Sequence, residues 1–275
     1  DALPICEHYM STLDQISIYP IKSCAGIDLQ SSQVLDRGFP LDRRWLLIDE
    51  AGQFISQRTT PQLGQIKIFQ NNDHLLVKYP AKSPLKLHLN VQSNVRQKAM
   101  IWKDQVDGLW VDQETDNWFS DVLEQRVHLI HMNEEVHRPL VKDNLPQDRS
   151  FEVSFADGYP YLLTSQASLD DLNNRLTSPI PMDRFRANLV VSGFEAFAED
   201  DWKRIRIGEV EFLVAKPCAR CQVTTIDQKT GSASKEPLKT LATYRKQGGN
   251  VMFGMNLVAL STGSVNLTDP VFIIE

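Results

Sequence analysis

From Leu13 to about Val111 the chain is a succession of short, β-branched runs broken by turn residues, and that stretch reads as strands rather than helices. More than a third of the chain is thereby committed to sheet. Arg44 to Asp49 and Gln53 to Arg58 flank Glu50-Ala51-Gly52, and Leu63 to Phe69 and His74 to Tyr79 flank Asn71-Asn72-Asp73, so two hairpins are predicted. Leu85 to Leu89 alternates apolar and polar residues, as a half-buried strand does.

Near Thr115 the period changes. Trp118, Phe119, Val122 and Leu123 fall on one helical face, with Asp112 or Thr115 available as a cap. The polar stretch Asn133 to Arg149, with Pro139 and Pro146, is the expected linker. Beyond it "YLLTSQASLDDLNNRL" reads as a strand entering a helix capped by Ser165 or Ser168. "FRANLVVSG" is a buried strand, and "RIRIGEVEFLVA" a hairpin turning at Gly208-Glu209. "QVTTID" is predicted as a further strand and "EPLKTLATYRKQGG" as an amphipathic helix, before strands at Val251 to Leu260 and Val271 to Ile274. The pattern predicts a mainly β, α+β protein of two lobes, 10–132 and 133–275, consistent with 275 residues lying near the size at which one core divides.

Composition narrows the function classes. A net charge of -6 argues against a nucleic-acid partner, because phosphate neutralisation needs a cationic face. No stretch approaches the roughly 20 apolar residues of a membrane span, so no membrane partner is expected. Four cysteines, Cys6, Cys24, Cys218 and Cys221, are too few and too unevenly spaced for a disulfide scaffold, which predicts a reducing, cytoplasmic setting.

The sharpest local feature is "KPCARC", in which Cys218 and Cys221 form a CxxC pair with Lys216 and Arg220 beside it. Nearby positive charge favours the thiolate, the form that binds soft metals. Alone the pair is ambiguous. Structural zinc needs four ligands and no second pair exists at the right spacing, a thioredoxin-like pair should open a helix after a βαβ strand, and two inert buried cysteines are the plain alternative. A second feature is a scatter of cations at predicted strand ends and turns: Lys22 with Ser23 in "YPIKSCAG", Arg43 in "LDRRW", Arg58 in "SQRTTP", and Arg186 with Asn188 in "FRANLV". Such residues can converge on one anionic ligand, with Ser165 at the mouth of its helix joining them, or each can pair locally on the surface. Cys24 and the five tryptophans, Trp45, Trp102, Trp110, Trp118 and Trp202, read as packing residues.

Taken together and in order, "ISIYPIKSCAG", "LDRRWLLID", "FADGYPYLLTSQASLDDLN", "DRFRANLVVSG", "AEDDWKRIRIGEVEF" and "CARCQVTTIDQKTG" resemble the MOSC family, and within it the amidoxime-reducing components and YcbX-type proteins. The similarity runs from about Leu13 to Glu275. It implies a MOSC β-barrel domain after an N-terminal β-barrel-like lobe, and a molybdenum cofactor (molybdenum-molybdopterin) whose metal is held by one cysteine thiolate, matched here by Cys221 with Arg220 supporting the charge around it. Lys22, Ser23, Arg43, Ser165, Arg186 and Asn188 would hold the pterin and its phosphate. The implied activity is reduction of small N-hydroxylated substrates such as amidoximes and hydroxylamines. The alternative is a carrier of molybdopterin, or of a cysteine persulfide, without turnover of its own; a zinc-stabilised interaction domain is a third class. YcbX-type relatives carry a fused plant-type ferredoxin domain, but no C-x4-C-x2-C spacing occurs here, so no fused iron-sulfur cluster is expected. Electrons would come from a separate ferredoxin or flavoprotein reductase. Where a relative has serine beside Arg220, Ala219 offers no hydroxyl.

Overall fold

The computed structural model describes residues 11–275. Its largest element is a nine-stranded sheet ordered Val271–Ile273, Arg204–Ile207, Val210–Arg220, Asn250–Ala259, Tyr161–Ser165, Leu189–Ser192, Thr12–Ile18 and Ile27–Leu29, with Lys246–Gln247 paired to Asn250–Ala259. All pairings are antiparallel except Tyr161–Ser165 with Leu189–Ser192, which are joined through the helix Gln166–Arg175, as a parallel pair requires a crossover. The chain's first described strand is thus built into a sheet whose other long strands come from beyond residue 160. Leu13, Ile16 and Ile18 pack with Leu163, Leu189, Phe212 and Leu257 in one buried core.

A four-stranded sheet (Trp45–Ile48, His128–His131, Asp104–Trp110, Arg96–Ile101) and a three-stranded one (Lys67–Gln70, His74–Lys78, Leu85–His88) make up most of the first half. A second core of Trp45, Leu47, Leu63, Ile68, Leu75, Phe119 and Leu129 lies between them and the helix Gln113–Leu123. Asp112 caps that helix, accepting from the Thr115 N–H at 2.7 Å. A two-stranded ribbon, Ser31–Val34 with Gly263–Asn266, ties the two halves together.

Several sequence expectations are corrected. Leu63 lies in a 3-10 turn, Pro61–Gln65, opened by its proline, and the strand begins only at Lys67. "QVTT" is also a 3-10 turn, because the Thr224 and Thr225 hydroxyls donate back to the Cys221 and Gln222 carbonyls at 3.0 and 2.7 Å, a local bond that competes with sheet pairing. The helix expected over "EPLKTLATYRKQGG" is only Leu238–Leu241, since Lys246–Gln247 is drawn into a hairpin with Asn250 and Val251. The expected linker is a packed segment without regular structure: Leu140 and Leu145 are buried against Phe151, Val153 and Val258. In it the buried Arg138 donates to the Ser154 and Ala156 carbonyls and pairs with Asp104 at 2.7 Å, pinning the corner at Ala156-Asp157 to the hairpin turn at Trp102-Lys103.

Candidate functional site

Between the sheets lies a cavity of about 390 Å³, within the range of small-molecule sites. Seven of the eight site residues implied by the resemblance line it, Lys22, Ser23, Arg43, Arg186, Asn188, Arg220 and Cys221, and so do Arg58, Lys216 and Cys218. Three of them hold left-handed backbone, Ser23 at φ 72, Arg43 at φ 50 and Arg186 at φ 55. Non-glycine residues rarely take that conformation, and such strain collects where side chains must be aimed.

Tyr19 organises the floor. The guanidinium carbons of Arg43 and Arg186 lie 4.5 and 4.2 Å from its ring centroid. The ring has room because residue 26 is glycine: a Cβ there would stand 2.7 Å from the tyrosine ring. Burial pushes the Tyr19 phenol up to about 12, against the two arginines, so it is a neutral platform at physiological pH. Arg43 is tethered to Asp42 at 2.6 Å, to Asn188 Oδ1 at 3.0 Å and to the Arg186 carbonyl at 3.2 Å. Asn188, nearly fully buried, also donates to the Ser17 carbonyl and accepts from the Leu162 N–H, so it holds Arg43 and the sheet edge together. Arg186 donates to the Cys24 carbonyl at 2.8 Å and has no carboxylate partner among the described residues; burial first, then Arg43, lowers its pKa. Lys22 is buried and donates to the Phe155 carbonyl at 2.8 Å and to Asp157 at 2.5 Å. Burial lowers the Lys22 pKa against the pull of Asp157. For Asp157 burial acts upward, but Lys22, Arg58 and Trp102 outweigh it and hold the carboxyl well below the usual range.

The two cysteines diverge. Val210–Arg220 runs through the first of them, with a register shift between Pro217 and Ala219, so Cys218 sits at a bulge and packs against the cluster of Leu162, Phe185 and Phe253. Cys221 is the first residue past the strand. Its Sγ is 3.3 Å from Arg58 Nη2. Arg220 was expected beside Cys221, but its Nη1 lies 3.0 Å from Cys218 and its Nη2 on the Phe185 carbonyl, because residues two apart on a strand share a face. Ser165 is not in the cavity. It is fully buried, accepting from the Ser168 N–H at 3.1 Å as the helix cap. Arg58, noticed in the sequence only as one of several cations, reaches the thiol. Trp102, read there as packing, is 51% exposed and stacks on Arg58. Cys24 is buried in the second core, its thiol pushed up to about 12 by burial, as its apolar reading requires. Cys6 lies outside the described residues.

The cavity walls carry seven cations (Lys22, Arg43, Arg58, Lys142, Arg186, Lys216 and Arg220) and one carboxylate, Asp157. The chain belongs to the MOSC family. Residues 10–126 match the MOSC N-terminal beta barrel domain and residues 150–272 the MOSC domain. It is 34% identical to the mitochondrial amidoxime reducing component 2 of Rattus norvegicus and 32% identical to the mitochondrial amidoxime-reducing component 1 of Homo sapiens, each alignment covering 96% of this chain and 83% of the relative. It is also 32% identical to the molybdenum cofactor sulfurase of Oryza sativa subsp. japonica, over 89% of this chain but 32% of the rice protein. Two of these names place the relatives in mitochondria. Among the described residues no helix is long and apolar enough to cross a membrane.

Proposed function

We propose that the chain is a molybdenum cofactor-dependent oxidoreductase that reduces N-hydroxylated compounds, with Cys221 as the protein ligand to the metal. One observation carries the reading: in a chain of net charge -6, seven cations and the partly buried thiols of Cys218 and Cys221 converge on one cavity with a single carboxylate. A pterin dithiolene ending in a phosphate is polyanionic, and the residues present fit it. Arg43 and Arg186, splayed on Tyr19, suit the phosphate, Lys22 and Ser23 supply further donors, and Asn188 holds Arg43 in place. The bound cofactor would supply two-electron redox chemistry that no side chain here can provide. The protein's part is to fix the metal through Cys221, neutralise the anion and leave one side of the cavity open to substrate. An amidoxime takes up two electrons and two protons to give an amidine and water. The electrons come from a separate donor, and a small N-hydroxylated compound is the substrate.

The test is a single turnover: protein carrying molybdenum, reduced chemically without oxygen and mixed with benzamidoxime, should give about one benzamidine per metal. Molybdenum-replete protein that yields no amidine would contradict the enzyme and leave the carrier reading, which the similarity to the rice sulfurase supports.

A further inference from the structure

Arg58 stands where three cavity features meet. Its Nη2 is 3.3 Å from Cys221 Sγ and 3.9 Å from Asp157 Oδ2, and its guanidinium carbon is 4.3 Å from the Trp102 ring centroid. Trp102 closes the arrangement by donating its indole N–H to Asp157 Oδ1 at 3.3 Å and packing edge-on against Phe54. One guanidinium is thus held by a carboxylate, an indole and a sulfur.

The backbone around it is fixed as firmly. The buried side chains of Gln57 and Gln228 exchange two hydrogen bonds, at 2.8 and 2.9 Å, and Gln57 also donates to the Ser23 carbonyl. Gln222 donates to the Arg58 carbonyl at 3.2 Å. Arg58 and the residue before it are therefore tied to the segment that follows Cys221. Gly64 closes over the pair, since a Cβ there would fall 2.8 Å from the Gln228 amide oxygen. Trp102 itself has φ 57 at a hairpin turn, a conformation that favours glycine or asparagine, while half of its surface faces solvent. Packing alone gives no reason for a bulky residue there; holding Arg58 does.

We infer that Arg58, rather than Arg220, is the second residue of the metal site: it donates to the ligating sulfur, and Asp157 and Trp102 keep it in that pose. The inference rests on Cys221 being the molybdenum ligand. A donor on a metal-bound thiolate draws electron density from the sulfur, and a fixed positive charge nearby favours the reduced metal. Arg58 is then a positioning and tuning residue that raises the potential of the centre. Arg220, turned to Cys218 and the Phe185 carbonyl, does not share this role.

The test uses the full chain, expressed in a host that makes the cofactor, with metal content and an anaerobic redox titration measured in the absence of substrate. Arg58→Met keeps the stem and removes every donor; it should shift the midpoint of the molybdenum centre to more negative potential, and by clearly more than Arg220→Met, which removes a cavity charge but no donor to the Cys221 sulfur. Arg58→Lys keeps the charge without the planar fork and should fall between. If Arg58→Met does not fold or retain metal, Arg58→Lys decides, and a wild-type midpoint there overturns the inference. So does an unshifted midpoint in metal-replete Arg58→Met, or an equal shift in Arg220→Met, and either result leaves the cofactor reading standing. Wild-type protein without molybdenum overturns both.

Discussion

Two places among the described residues, the mouth of one helix and the cavity, are each built to receive an anion, and they are finished differently. At the mouth of the helix Gln166–Arg175 the receptor is filled by the chain itself. The fully buried Glu199 accepts from Ser168 Oγ at 2.7 Å, and Ser168 is in turn held by Ser165 and the Phe197 N–H. Burial pushes the Glu199 carboxyl up against those hydrogen bonds. In the cavity Asp157 alone answers Lys22 and Arg58, while Lys142, Arg186, Lys216 and Arg220 have no carboxylate partner among the described residues. A seat closed by its own carboxylate is structural; one left with a surplus of cations is completed by a ligand from outside.

The strongest way to break that contrast is to remove cations from the open seat. Arg186→Met and Arg43→Met should each lower retained pterin roughly 10–100-fold, since a hydrogen bond to a charged group such as phosphate is worth about 1.5–3 kcal/mol, read as fluorescence of the oxidised pterin per mole of folded protein. Full retention in both would show that the surplus charge serves something else. The closed seat should behave oppositely. Ser165→Ala should leave pterin content unchanged and lower unfolding stability in urea by about 1–2 kcal/mol, through loss of a cap and a buried hydrogen bond. If cofactor is lost while stability holds, the helix mouth is the binding seat after all.

The smallest effect sharpens the same point through pH. Because folding raises the Glu199 pKa above its ordinary 4.5, its contribution to stability is fully present below that value and is lost as pH rises through the folded-state value. Glu199→Gln removes this term. The melting temperature of the wild type relative to Glu199→Gln should therefore be highest near pH 4 and fall toward neutrality. A flat difference would mean that Glu199 ionises freely where it sits.

The fold was legible wherever periodicity was long, as at the caps Asp112 and Ser165 and the hairpin at Gly208-Glu209. It was illegible where a side chain competes with the sheet, as Thr224 and Thr225 do in "QVTT". The site divides similarly. Lys22, Ser23, Arg43, Arg186 and Asn188 flank strand ends, and the topology brings strand ends together. Ser165 looks from sequence like an open helix mouth because only the tertiary fold brings Glu199 across it. Arg58 reads from sequence as one cation among several and Trp102 as packing, because their partners, Cys221 and Asp157, lie on distant segments and no local pattern records the meeting.

Everything proposed for the cavity depends on Cys221 holding a molybdenum pterin there. That ligation is tested most directly by metal analysis and pterin fluorescence of wild type, Cys221→Ala and Cys218→Ala from a host that makes the cofactor. Near-stoichiometric molybdenum and pterin are expected in the wild type, with loss of molybdenum in Cys221→Ala and retention in Cys218→Ala, whose thiol packs against the Phe185 and Phe253 cluster. Molybdenum retained in Cys221→Ala, or zinc in place of molybdenum in the wild type, would contradict that ligation.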